Sequence, residues 1–182
     1  MSEPKQIEID INPQLLEGML LRLENTKWPP TIGEDSWDYG VPKQWMQDMV
    51  NYWTTEWKWE NVAAQINEWK HFSVTIDQVP IHYLTHQVKD RTQSLSLNPR
   101  VAVDILGFQR CDGPLSDPEK YGGDPMDSFD VFVPSLPGFI FSSPLTKAGV
   151  DVREIAKLWN TLMTEVLGTR NFVLMEEIGE LW

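Results

Sequence analysis

Phe129–Ser143, FDVFVPSLPGFIFSS, is the stretch that decides the fold. Phe129 to Val133 is apolar apart from Asp130 and reads as a short buried strand. It empties into a Pro-Ser-Leu-Pro-Gly turn, and a helical segment opens further on at Asp151. A strand, a loop and a long amphipathic helix make one unit of an α/β architecture. In such sheets the chemistry gathers at the C-terminal ends of the strands, so Pro134 to Ser142 is expected to face any active site.

Downstream, Asp151 caps a helix whose apolar stripe is Val152, Ile155, Ala156, Leu158, Trp159, Leu162, Met163 and Val166, and Gly168 closes it. Phe172–Met175 begins another strand, and Glu176-Glu177-Ile178-Gly179 turns after it. Upstream, Pro99–Leu106 reads as a strand interrupted by Asp104, and 107–127 as a loop rich in Gly, Asp and Pro. Phe72–Ile76 and Val79–Val88 alternate on either side of Asp77-Gln78, the pattern of a hairpin, and Lys89–Asn98 reads as a polar connection.

The first third is helical. Ile7–Ile11 alternates as a short strand or extended arm; Asn12 then caps a helix with Pro13 at its first position. Leu15, Leu16, Met19, Leu20 and Leu23 form its stripe, and Trp28-Pro29-Pro30 ends it. A second helix from Pro42 carries Trp45, Met49, Val50, Tyr52 and Trp53, and a third spans Trp59–Glu68. The expected organisation is a helical region over 1–70 and part of an α/β sheet over 71–182. That sheet reads as unfinished, since a doubly wound sheet needs further strand–helix units after Gly179.

A chain of 182 residues with nine tryptophans can bury one sizeable core. Its net charge of −12 opposes binding to nucleic acid or an anionic membrane. Cys111 stands alone, which excludes an internal disulfide framework and suits a reducing compartment. The opening MSEPKQIEIDINP has neither a basic nor an apolar leader region, and no apolar run is long enough for a membrane span, so a soluble, cytoplasmic protein is expected.

Candidate chemical groups are few. His82 and His86 are four apart in an alternating strand, which puts them on one face but ~13 Å apart, so they read as structural or surface residues rather than metal ligands. His71 reads as a strand-boundary residue with no visible partner. Ser135 lacks a surrounding G-x-S-x-G motif and reads as part of a structural turn. Cys111 lies in a Gly/Asp loop without a histidine signature, against a catalytic thiol. Trp45, Trp53, Trp57, Trp59 and Trp69 read as the packing face of the helical region rather than a ligand cage.

The turn V-P-S-L-P-G-F-x-F-S at Val133–Ser142 resembles a signature of the microsomal and fungal-type epoxide hydrolases, a branch of the α/β-hydrolase fold. The resemblance extends over nearly the whole chain. It takes in Trp-Pro-Pro at Trp28–Pro30, DYGVP at Asp38–Pro42, YWTTEWKWENVAAQINEWKHF at Tyr52–Phe72 and VTIDQVPIHYLTH at Val74–His86. It also takes in Tyr-Gly-Gly at Tyr121–Gly123 and Asp-Ser-Phe-Asp at Asp127–Asp130. It implies a helical N-terminal extension packed on a partial α/β-hydrolase sheet, with the N-terminal half of that fold only.

The resemblance further implies hydrolysis of an epoxide to a vicinal diol, with no cofactor and no metal. An aspartate attacks an epoxide carbon, lid tyrosines donate to its oxygen, and a water activated by a histidine–carboxylate pair cleaves the ester. The family's oxyanion element, His-Gly-Trp-Pro, falls on Leu106-Gly107-Phe108-Gln109, which keeps Gly107 and an aromatic, Phe108. Its nucleophile motif, Gly-Gly-Asp-x-Gly, falls on Glu176-Glu177-Ile178-Gly179. With a one-residue deletion Glu177 is the candidate nucleophile; without one, Ile178 takes that place, and Glu177 is then an exposed acid at the end of the sheet. The lid with its tyrosines, the second carboxylate and the catalytic histidine have no counterpart in this sequence, so by the resemblance the full constellation is not expected to assemble within one chain. Two functions follow: an epoxide hydrolase of detoxification or secondary metabolism, or a non-catalytic remnant. The partner implied is a small-molecule epoxide, with pairing to a second copy or to a full-length relative left open.

Overall fold

The computed structural model describes residues 2–30, 32, 36–86, 94–98, 113–169 and 171–176. Its strands are β1 (Lys5–Ile7), β2 (Lys70–Ile76), β3 (Val79–His86), β4 (Ser94–Asn98), β5 (Asp130–Pro134) and β6 (Phe172–Glu176). They form one mixed sheet in the order β1-β2-β3-β5-β4-β6. The first three strands and β5 pair antiparallel, while β4 runs parallel to both β5 and β6.

The β2–β3 hairpin follows from its turn. Asp77 and Gln78 take left-handed backbone, φ +47° and +68°, which matches the twist of the flanking strands. The turn sets Ile76 opposite Val79 and carries the pairing on to Lys70 opposite Thr85. Alternation then sorts the side chains between two faces. On one face Val74, Ile76, Val79, Ile81, Tyr83 and Phe132 pack with Leu158, Trp159, Leu162 and Met163. On the other, Leu84, Val131 and Val133 pack with Trp69, Leu115 and Phe129. The sheet is therefore covered on both sides, as the apolar run of β5 demands.

The helix over the first face, Val152–Thr161, opens on Asp151, whose carboxylate accepts from the backbone N–H groups of Arg153 and Glu154. It continues as a wider π turn over Leu162–Val166 and stops at Gly168, φ +66°. Val152, expected in its buried stripe, is 81% exposed, while Ile155, Leu158 and Trp159 are the residues of this helix that meet the core.

The chain divides into two compact units, 9–65 and the remainder. In the first, α1 (Pro13–Glu24) is capped by Asn12 with Pro13 in the first turn, and α2 (Lys43–Thr55) and α3 (Trp59–Ile66) follow. The helix over Val152–Thr161 is α4. None of α1 to α3 has a fully buried residue, and Leu15, placed in the apolar stripe of α1, is exposed. Trp45 and Trp53 are likewise exposed rather than packed, although Trp45 meets Trp37 edge-on at 6.0 Å.

Two strand positions depart from the sequence reading. The first strand is Lys5–Ile7 rather than Ile7–Ile11, because its ladder with β2 runs from Lys5 opposite Ser73 to Ile7 opposite His71. Ser94–Asn98, read as the end of a polar connection, is a strand between β5 and β6. The strand expected over Pro99–Leu106 lies outside the described residues. The segment expected as plain loop carries a helical turn at 113–116 and tight turns at Pro118–Tyr121 and Pro125–Asp127.

Candidate functional site

The parallel strands place their ends at one edge of the sheet. Ser94 pairs with Asp130 and Ser96 with Phe132, while Asn98 pairs with Glu176. β4, β5 and β6 thus finish together, and the chain leaves this edge after Asn98, Pro134 and Glu176. Antiparallel β3 brings His82 to the same edge, where its carbonyl accepts from Ser135 N–H at 2.8 Å. His86 pairs with Val131 near the start of β5, towards the opposite edge.

The segment leaving β5 is folded tightly. Gly138 N–H donates to Ser142 O at 3.0 Å, Phe139 N–H to Leu136 O at 2.9 Å, and Ser142 N–H to Phe139 O at 2.9 Å. Gly138 has φ +84° and a Cβ there would lie 3.3 Å from Leu145 Cβ, so this turn calls for glycine. Ile140 has φ +44°, a left-handed conformation that a β-branched residue rarely holds. The Ser143–Pro144 bond that follows is cis.

Behind this segment lies a buried polar chain. His71 Nε2 is 2.9 Å from the carbonyl of Ile66, and His71 Nδ1 is 2.9 Å from His82 Nε2. His82 Nδ1 is 2.8 Å from Ser135 Oγ. Ser142 Oγ accepts from His82 N–H at 2.9 Å and donates to the Ser135 carbonyl at 2.8 Å. His71, His82, Ser135 and Ser142 are all buried, and Phe141 meets both rings edge-on, at 6.3 and 5.1 Å.

The carbonyl at the far end sets the proton positions. It can only accept, so His71 Nε2 carries a proton and, in the neutral ring, Nδ1 accepts. His82 Nε2 must then donate to it, His82 Nδ1 accepts, and Ser135 Oγ donates. Burial, with the neighbouring His71 second, pushes the His82 pKa down to about 3. Burial also lowers His71, against the opposing pull of the Ile66 carbonyl. Ser135 and His82 have the spacing of a nucleophile and its base, but so weak a base abstracts no proton at neutral pH. The arrangement is a structural polar chain, consistent with reading Ser135 as part of a turn.

His71 therefore has a partner that its sequence neighbourhood hides, and His82 joins it rather than His86. The signal was present: a two-residue turn at Asp77-Gln78 sets His71 diagonal to His82 on one face. Glu177, Gly107, Phe108 and Cys111 lie outside the described residues. Among the described residues no group of three or more His, Cys, Asp or Glu is arranged to hold a metal ion. A shallow open depression of about 360 Å³, lined by Gln6, Ile7, Glu8, Asn67 and Trp69, lies by β1, at the other end of the sheet from β6.

Residues 4–99 match the family described as Epoxide hydrolase N terminus. The chain is 32% identical over 157 residues to a putative epoxide hydrolase of Stigmatella aurantiaca, covering 86% of this chain and 36% of that protein. It is 22% identical to epoxide hydrolase 1 of Sus scrofa, covering 93% of this chain and 38% of that protein. Among solved structures, the juvenile hormone epoxide hydrolase of Bombyx mori superposes with a TM-score of 0.80 at 19% identity, over 97% of this chain and 47% of that one. The epoxide hydrolase of Aspergillus niger gives 0.76 at 20% identity, over 96% and 46%. The architecture is thus the α/β-hydrolase fold over about half the length of those structures, while the chain spans just over a third of the curated relatives it matches.

Proposed function

Because this chain belongs to the epoxide hydrolase family, we propose that its strand-exit edge is one wall of an epoxide-opening site, with Glu177 in the nucleophile's place. The observation that supports this most is the common edge at which β4, β5 and β6 end, since Glu177 follows Glu176 there directly in sequence. Gly107 and Phe108 follow β4 in the chain and form the rim of the same site. The substrate is a small-molecule epoxide, and no cofactor or metal takes part.

In the reaction, the carboxylate attacks an epoxide carbon and the C–O bond of the ring breaks. The released alkoxide takes a proton, which leaves a hydroxyalkyl ester. Water then cleaves that ester to a vicinal diol and regenerates the carboxylate. The first step needs a carboxylate and a proton donor; the second needs a base. The chain's three histidines are His71, His82 and His86. The first two are committed to the buried chain, and the third pairs towards the opposite edge.

A second reading is a non-catalytic chain that acts by pairing with a longer relative. What favours it is Met175-Glu176 ahead of Glu177, where the family motif has the two glycines that let a nucleophile elbow turn sharply. Cytoplasmic placement and a part in detoxification or secondary metabolism belong to the enzyme reading. Among the described residues no helix is long and apolar enough to cross a membrane.

The test is diol formation from a panel of aryl and alkyl epoxides by the purified chain and by Glu177→Gln. Diol formed by the wild type and lost in the variant supports the enzyme reading. Folded protein that forms no diol and no covalent product supports the pairing reading.

A further inference from the structure

We propose that His71 and His82 are positioning residues: with Ser135 and Ser142 they form a proton-directed latch that holds the segment leaving β5, and acidification opens it. The latch stands on the geometry of the sheet and rests on the epoxide reading only for the purpose the rim serves.

Every polar atom of the chain is used, in one direction. Protons run from Ser135 Oγ to His82, from His82 to His71, and from His71 to the Ile66 carbonyl. Ser142 Oγ closes the bracket, accepting from the His82 backbone and donating to the Ser135 carbonyl, seven residues earlier in the chain. The bracket spans the turn that contains Ile140, whose left-handed backbone is unfavourable for a β-branched residue and persists only where its surroundings hold it.

The latch is built for neutral rings. One added proton reverses the bond to Ser135, which must then accept, and leaves a positive charge buried without a counter-charge. A second sets His71 Nδ1–H against His82 Nε2–H. Among the described residues, the groups facing the rings are the Ile66 carbonyl before β2, and Ser135, Phe141 and Ser142 from the exit segment. None of these is a carboxylate or a cation, and among the described residues no charged group besides the partner ring shifts either histidine.

Amide hydrogen exchange of the whole chain tests this without any epoxide, so it can fail independently of the diol assay. The probes are the N–H groups of Ser135, Gly138, Phe139 and Ser142, with those of Val74 and Ile81 as internal reference. After correction for intrinsic rates, protection of the probes is expected to fall by about tenfold per pH unit below about pH 6.5, ahead of the reference. Ser135→Ala and Ser142→Ala are each expected to lower probe protection at least about tenfold at neutral pH, with the reference unchanged. Nitrogen spectra of the rings are expected to show both as neutral Nε2–H tautomers. Probe protection that is flat with pH, or that both serine variants leave unchanged, overturns the latch. So does a ring that titrates near its ordinary value.

Discussion

Gly138 and Gly18 make opposite demands on one substitution. At Gly138, φ +84° and the 3.3 Å approach to Leu145 mean that Gly138→Ala should destabilise the protein by about 1–2 kcal/mol. Gly18 lies inside α1, and a Cβ there meets only the flexible end of Arg22 at 3.6 Å. Gly18→Ala should therefore stabilise by about 0.5–1 kcal/mol. Urea unfolding of the two variants beside the wild type reads both signs. The histidines make a prediction with a sign of its own. His82 has a folded pKa of about 3, below the ordinary 6.5, so the unfolded chain binds the proton more readily. Stability is then complete above about pH 6.5 and falls by about 1.4 kcal/mol per pH unit as pH drops towards about 3, with His71 adding in the same direction. His82→Gln should flatten that slope in unfolding curves taken across the same range.

At the scale of the element, burial separates residues that the helical pattern groups together. Leu162 is fully buried against the sheet, and Leu162→Ala should cost about 2–5 kcal/mol. Val152→Ala, in the same expected stripe but 81% exposed, should change stability by less than about 0.5 kcal/mol. Thermal unfolding of the pair distinguishes a helix docked by its C-terminal half from one docked along its length. The same contrast marks what was legible in the sequence. The β2–β3 hairpin, β5 and the caps at Asn12 and Asp151 were readable because their signals are local: a two-residue turn, an apolar run, a side-chain oxygen before a helix. β4 was not, since Ser94–Asn98 is short and half polar, and two parallel neighbours distant in sequence make it a strand. The His71–His82 pair fell between these cases, because it needs the hairpin register as well as the residues.

At the scale of the molecule, the sheet brings the ends of β4, β5 and β6 together at one edge. The Pro134–Ser142 turn stands at that edge, as the strand-loop-helix reading anticipated, and it is braced from behind by a neutral histidine pair. Glu177 follows the end of β6 in sequence and is the one group on which the chemical account turns. The most direct measurement is mass spectrometry of the whole chain after brief exposure to a small aryl epoxide, followed by peptide mapping. The account predicts one added epoxide mass on the peptide that carries Glu177, captured at short exposure and absent from Glu177→Gln. A folded protein that acquires no adduct, or one whose adduct persists unchanged in Glu177→Gln, would contradict it.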